Sequence, residues 1–267
     1  MSELFLIPVA LLPAIALCIY VYIKDRVEKE PLGLLVGLFF LGVIICFPAA
    51  KLEEWLLGLF ESLFSGRTLL LHAAKNFIGI ALVEEGLKYF VLRMATRKNE
   101  DFNSLFDGMI YAVFVSLGFA AFENILYVTK YGLENAILRA MTAVPAHMFL
   151  GVIMGYYYSL WHMYDLARLR EIKLQKQGKV ARKLLFSGVN YKQLAIIVPV
   201  LAHGFYDFCC TLDSTLATLV FVVFLGFLYV RCFGLVRWLS ARDARDIPYT
   251  SHMLRKKYPE LQSQEKK

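Results

Sequence analysis

Residues 105–128 have the sequence LFDGMIYAVFVSLGFAAFENILYV, an apolar stretch with one carboxylate near each end. Apolar runs of roughly 20 residues are long enough to cross a lipid bilayer as an α-helix. Stretches of this kind recur along the chain of 267 residues, of which 58% are hydrophobic and 15% aromatic. The mean hydropathy of +0.55 lies far outside the usual range of soluble proteins. The sequence therefore predicts an all-α, polytopic transmembrane helical bundle.

About seven spans are expected, together with one amphipathic helix in the membrane interface. The interfacial helix is KLEEWLLGLFESLFSG (51–66), which is too charged to span but carries Leu, Trp and Phe at helical spacing. Gly151 and Gly155 form a small-xxx-small step that lets another helix approach span five closely. The first apolar stretch lacks a basic n-region, so it is predicted to be retained rather than cleaved as a signal peptide. The predicted spans are residues 4–23, 32–50, 69–94, 105–128, 136–161, 192–212 and 214–238.

The distribution of Lys and Arg predicts the orientation of the spans. A net charge of +7 would suggest a nucleic-acid partner in a soluble protein, but most of the 29 basic residues lie in loops on one side, including the run from Arg168 to Lys183. The positive-inside rule places that side in the cytoplasm. We therefore expect a multi-pass protein of the cell membrane, in contact with lipid rather than nucleic acid, with its N-terminus outside. A single transmembrane domain is expected over residues 1–245, followed by a basic cytoplasmic tail over 246–267.

Charged or titratable side chains interrupt four of the spans at similar depth. A charge in the middle of a bilayer costs several kcal/mol, so such groups are expected to be paired, hydrated or functional. Their occurrence on four helices favours one common site over independent packing contacts. The residues are Glu84, Glu85, Lys88, Glu123, His147, His203 and Asp207.

The helical positions of these groups predict two specific pairings. At about 100° per residue, Lys88 lies about 40° from Glu84 and about 60° from Glu85 around the helix. One ammonium group can therefore hold both carboxylates in their ionised forms. His203 and Asp207 are four residues apart and share one face of their span.

Three classes of function fit these residues to different degrees. Carboxylates, imidazoles and a buried Lys suit activation of water, with a carboxylate as general base and His or Asp holding a metal or stabilising an oxyanion. Zinc would accept His147, His203 and Glu123 with one position open, although no HExxH motif demands a metal. An ion- or proton-coupled transporter also uses intramembrane carboxylates, but no convincing inverted repeat is found. A structural membrane protein would explain the spans without explaining the clustered charges.

Several segments resemble the PrsW family of intramembrane proteases, which are related to the CAAX-processing and bacteriocin-processing membrane proteases. The resemblance covers about residues 24–208. The family's EExxK pattern falls on Glu84, Glu85 and Lys88, its FxxxE pattern ends at Glu123, and HxxxD begins at His203. The matching segments are KDRVEKEPLGLL (24–35), VEEGLKY (83–89), FDGMIYAVFVSLGFAAFENILY (106–127), PAHMFLGVIMGYY (145–157) and HGFYDF (203–208).

The resemblance implies hydrolysis of a peptide bond within or beside the membrane, by a metallo- or glutamic-type mechanism. The substrate would be a single-span membrane protein, and the best-known family role is the first (site-1) cut in an anti-sigma factor on the outer side. The wider superfamily often has Phe four residues before the span-five histidine. This chain has Ala143 there, so the implication is carried by the PrsW-like proteins rather than by the CAAX proteases.

The resemblance also implies roles for the clustered side chains, in a water-accessible cavity nearer the outer leaflet. Glu84 or Glu85 would be the general base, and Lys88 would orient the pair. The residue spacing leaves open which of the two glutamates takes the proton. His147 and His203 would bind a metal or stabilise the oxyanion, helped by Glu123 and Asp207.

Overall fold

The computed structural model describes residues 3–26, 28–64, 66, 68–181, 185–243, 249–259 and 261. Within these ranges the chain forms helices and short connections, and no strand. A π-helical segment, Ala74–Ala81, joins α3 to α4 without interruption. The predicted all-α bundle is therefore confirmed. The helices are α1 Glu3–Lys24, α2 Leu32–Leu63, α3 Thr68–Ala73, α4 Leu82–Thr96, α5 Leu105–Tyr131, α6 Leu133–Met141, α7 Ala143–Lys176, α8 Val189–Thr211, α9 Thr215–Asp243 and α10 Tyr249–Lys257.

Six helical stretches are long and apolar enough to cross a membrane, judged by length and composition within the described residues. The predicted span 69–94 is not among them, because the π-helical segment divides it and because it carries several charges. It nevertheless forms one uninterrupted helical stretch from Thr68 to Thr96. The six are Leu6–Lys24, Leu32–Leu63, Leu105–Tyr131, Leu133–Lys176, Val189–Thr211 and Thr215–Arg242.

The predicted interfacial helix at 51–66 is not a separate element. Instead, α2 continues through Lys51 and ends at Leu63. Pro48 lies inside α2, and Gly58 follows it without ending the helix. Lys51 and Glu54 form an exposed ion pair on its surface at 2.9 Å. The charges that separated this segment from span two in the sequence are thus accommodated on the surface of one long helix.

The predicted span 136–161 lies within the longer stretch Leu133–Lys176, which a break at Thr142 divides into α6 and α7. The chain leaves the helical conformation at Thr142 (φ −122°, ψ −72°), so α6 ends at Met141 and α7 begins at Ala143. The break follows from Pro145, whose ring would clash with the carbonyl of Met141 in a continuous helix. At the start of α7 the missing proline amide costs nothing, because amides of the first turn have no intrahelical partner. At its other end α7 continues to Lys176.

Helix α5 is the centre of the bundle. Its side chains from Leu105 to Ala121 are buried on all faces, by α1, α2 and α7 among others. The predicted close approach at Gly151 and Gly155 is confirmed, because a Cβ atom at Gly155 would collide with the backbone of Gly108 and Met109 on α5. Helices α5 and α7 therefore hold their polar side chains at a fixed separation.

Buried carboxylates fasten the connection between α1 and α2 to α5. The backbone amide of Glu30 donates to Asp25 at 3.1 Å, and the Tyr111 hydroxyl donates to the Glu30 carboxylate. Burial raises the pKa of Glu30 to about 8. This connection is therefore a packed part of the fold.

Part of the predicted tail 246–267 forms α10, which packs against α7. Arg170 donates to the Thr250 hydroxyl at 2.7 Å. Residues 246–248, 260 and 262–267 lie outside the described residues. The division into a domain over 1–245 and a tail stays a prediction.

We expect Gly155→Ala to destabilise the bundle by about 1–3 kcal/mol, because the added methyl group forces α5 and α7 apart. The matched control is Gly226→Ala on α9, where an added Cβ meets nothing within 4 Å; it should be neutral or slightly stabilising, since Ala favours a helix. Thermal unfolding in detergent micelles measures both. Equal unfolding temperatures for the two variants would contradict the close packing.

Candidate active site

The ammonium group of Lys88 is the centre of a buried polar cluster. It donates to Glu84 Oε2 at 2.9 Å and to Glu85 Oε1 at 2.8 Å, which confirms the predicted double pairing. Its Nζ also lies 3.1 Å from His147 Nδ1 and 4.2 Å from the centre of the Phe119 ring. The Lys88 side chain is 0% exposed. All three ammonium hydrogens therefore have acceptors in a place that water does not reach.

His203 lies on the other side of the glutamate pair. Its Nδ1 is 3.0 Å from Glu85 Oε1 and 3.9 Å from Glu84 Oε2, and its Nε2 is 3.4 Å from Asp207 Oδ2. Because a carboxylate paired with an ammonium group only accepts hydrogen bonds, Nδ1 donates to Glu85. The contact between His203 Nε2 and Asp207 is then attractive only if one of these two groups carries a proton.

His147 and Glu123 form a second pair, which contacts Lys88 through His147 Nδ1. His147 Nε2 lies 2.9 Å from Glu123 Oε2. An ammonium group has no lone pair, so His147 Nδ1 accepts from Lys88 and Nε2 donates to Glu123. The neutral imidazole is thereby held in one tautomer and one orientation.

These groups border a cavity of about 240 Å³. The sequence-predicted residues Glu84, Glu123, His147, His203 and Asp207 line it, whereas Glu85 and Lys88 lie behind its wall. The structure thus brings all seven predicted side chains into one connected network drawn from α4, α5, α7 and α8. The two glutamates differ in position, because only Glu84 faces the cavity.

Local backbone features bring the residues to this place. The π-helical segment lies directly before α4 and exposes Asn76 to the cavity; π-turns within helices occur frequently at functional sites. The break at Thr142 sets His147 in the first turns of α7, next to Glu123 near the end of α5.

Further cavity-lining side chains were not predicted from the sequence. Asn76 donates to the Thr211 hydroxyl at 3.0 Å, and Thr211 donates to the carbonyl of Asp207 at 2.8 Å. Arg139, which falls inside the predicted span 136–161, lies 3.0 Å from Glu123. Nothing in the sequence signals these contacts, because they depend on the π-helical segment and on the break between α6 and α7.

The donor atoms present are suited to a divalent metal ion. Ligand atoms of Glu84, Glu85 and His203 lie within 4.8 Å of one another, and zinc accepts both imidazole nitrogen and carboxylate oxygen. Glu85 Oε2 is buried without a hydrogen-bond partner among the described residues. This set shares only His203 with the predicted one, His147, His203 and Glu123.

Comparison with known proteins assigns these features to one family. The family model described as PrsW family intramembrane metalloprotease matches residues 30–231. A protein named Protease PrsW from Bacillus subtilis (strain 168) is 33% identical over 240 residues, which cover 89% of this chain and 96% of that protein. The Protease PrsW of Oceanobacillus iheyensis is 34% identical over 222 residues, or 82% of this chain and 88% of that protein. No solved structure matches the chain.

Proposed function

The chain belongs to the PrsW family and is an intramembrane protease, and on this premise we propose that Glu84 activates the water that cleaves the substrate. Family membership decides against the ion-coupled transporter that the buried carboxylates alone left open. The proposal rests on one observation. The side chains of Glu84, His203 and Asp207 line the same cavity, and the buried Lys88 contacts Glu84 from behind its wall.

Glu84 is the better placed of the two glutamates to act as general base. It lines the cavity, whereas Glu85 is 0% exposed and directs one oxygen to both Lys88 and His203. Glu84 takes a proton from water as the water oxygen bonds to the scissile carbonyl carbon. Lys88 holds the carboxylate in place, and Glu85 orients His203. Glu84 therefore touches the reacting atoms, and Glu85 acts through its neighbours.

The contact between His203 and Asp207 supplies the complementary acid. The proton held between His203 Nε2 and Asp207 stabilises the oxyanion that forms from the carbonyl. When the carbon–nitrogen bond breaks, that proton passes to the leaving amine. The proton on Glu84 then returns through water to His203 and Asp207. Base and acid thus line the same cavity, Glu84 from α4 and His203 and Asp207 from α8.

Glu84, Glu85 and His203 would hold a zinc ion through one ligand atom each, in agreement with the family description as metalloproteases, and the other carboxylate oxygen of Glu84 would remain to take the proton. When bound, zinc polarises a carbonyl group and lowers the pKa of a coordinated water to about 7.

The substrate is a membrane protein with a single span, cut on the outer side, and an anti-sigma factor is the candidate of this kind. The positive-inside distribution supports an outer N-terminus and a cytoplasmic C-terminus. Asn76, Tyr127, Arg139 and Thr211 lie near the ends of helices on the predicted outer side, and all four line the cavity. The cavity is therefore nearer the outer leaflet.

We expect Glu84→Gln to lower kcat by roughly 10²- to 10⁴-fold, because the amide cannot take a proton. His203→Ala and Glu85→Gln should also abolish most activity. The assay is cleavage of a single-span anti-sigma factor of the source organism, tagged at both ends and reconstituted with the purified enzyme. The matched control is Glu54→Gln on the exposed part of α2, which should retain wild-type activity. Normal cleavage by Glu84→Gln would overturn the assignment of the base, and failure of the wild type to cut would overturn the proposed substrate.

The metal ligands are tested by metal content rather than by activity. We expect zinc to copurify with the wild type, to be lost in His203→Ala and to be retained in His147→Asn, because only His203 belongs to the Glu84–Glu85 group. Mass spectrometry of metals in the purified, folded proteins measures this. Loss of zinc from His147→Asn but not from His203→Ala would instead support the ligands predicted from the sequence.

A further inference from the structure

Arg139 lies on the short helix α6, whose two faces differ sharply. Ile137, Leu138 and Met141 are 56%, 60% and 67% exposed. Ala136 and Arg139 point the other way, towards the bundle, and the Arg139 side chain is only 11% exposed. A guanidinium group withdrawn from water in this way requires partners that repay its desolvation.

Within the described residues, the side-chain partners of Arg139 lie on α5. Its Nη2 forms an ion pair with Glu123 Oε2 at 3.0 Å, without the geometry of a hydrogen bond. Its Nε donates to Asn124 Oδ1 at 2.9 Å, and its guanidinium lies 4.0 Å from the centre of the Tyr127 ring. Asn124 is itself fixed, because its amide donates to the carbonyl of Ala10 on α1 at 2.7 Å. The planar guanidinium thus meets a carboxylate, an amide and an aromatic face at once, which an ammonium group cannot reproduce.

The same oxygen of Glu123 that contacts Arg139 also accepts from His147. The Glu123 side chain is 21% exposed. Without Arg139, the contact with His147 alone would hold its carboxylate, which could then turn towards water in the cavity. His147 in turn accepts from Lys88, and Lys88 fixes Glu84. A continuous chain of contacts therefore runs from Arg139 through Glu123, His147 and Lys88 to the general base.

We propose that Arg139 is a positioning residue of the protease, which acts through Glu123 to hold His147 against Lys88. The proposal rests on the proposed function of Glu84. It assigns α6 a role in catalysis although no residue of α6 touches the reacting atoms. Because Arg139 acts on the orientation of the base and not on substrate binding, its loss affects kcat and leaves KM nearly unchanged.

The test compares Arg139→Met, Arg139→Lys and the control Lys130→Met in the anti-sigma-factor assay. Lys130 is an exposed cation near the same end of α5 and should be dispensable. We expect Arg139→Met to lower kcat roughly 10- to 100-fold at nearly constant KM. Arg139→Lys should recover part of this loss, because it keeps the charge beside Glu123 while losing the contact to Asn124.

A double-mutant cycle separates a positioning role from a structural one. Glu123→Gln retains an oxygen that accepts from His147, so a measurable rate is expected. In the Glu123→Gln background, Arg139→Met should lower kcat by less than about twofold, because the charge through which Arg139 acts is already gone. An equal loss in both backgrounds, or a raised KM with kcat unchanged, would overturn the proposal. If Arg139→Met does not fold, the same cycle with Arg139→Lys decides.

The failure of this inference can be told apart from the failure of the proposed function. If Glu84→Gln is inactive while Arg139→Met is as active as the wild type, only the role of Arg139 is wrong. If Glu84→Gln cleaves normally, the general base is wrong, and Arg139 no longer has a catalytic group to position.

Discussion

The buried ammonium group of Lys88 is the constraint on which the site depends. A cation that water does not reach is tolerated only with acceptors for all its hydrogens, and these come from Glu84, Glu85 and His147. Two of the acceptors lie on α4 and one on α7, so the ammonium group joins two helices that are distant in sequence. Satisfying this one charge therefore fixes the carboxylates and an imidazole relative to one another.

Two irregularities of the helices make this arrangement possible. The break at Thr142 separates α6 from α7, which brings Arg139 and His147 to the same carboxylate, Glu123. The π-helical segment before α4 adds Asn76 to the cavity. Around these irregular parts, α5 packs closely on its neighbours and supplies rigid support. Precise placement of catalytic groups by rigid elements is the usual requirement for catalysis in a preorganised site.

Much of this could be predicted from the sequence, for physical reasons that apply to membranes. Lipid makes both long apolar runs and buried charges conspicuous, so the all-α bundle and the residues Glu84, Lys88 and His203 followed from composition and depth. The pairing of Lys88 with both glutamates followed from the helical period. The helical period could not show which of Glu84 and Glu85 is the general base, because that depends on which carboxylate faces the cavity.

Other features could not be predicted from the sequence because tertiary packing decides them. The continuation of α2 to Leu63 shows that residues 51–63 are not a separate helix, since surface charges alone do not end a helix. Pro145 is visible in the sequence, but its consequence, the break at Thr142, was missed in the predicted span 136–161. Nothing in the sequence marks Arg139 as the partner of Glu123, because only the packing of α6 against α5 brings the two side chains together.

The central claim, that Lys88 holds the buried carboxylates of the site, is tested most directly by a double-mutant cycle on the free energy of unfolding in micelles. Lys88→Met should cost about 3–5 kcal/mol, because it leaves buried carboxylates without their cation. Adding Glu85→Gln should restore part of that stability, since one of the stranded charges is removed. The control Lys75→Met, which removes the partly exposed pair with Glu61, should cost less than about 1 kcal/mol. Strictly additive losses for Lys88→Met and Glu85→Gln would contradict the claim.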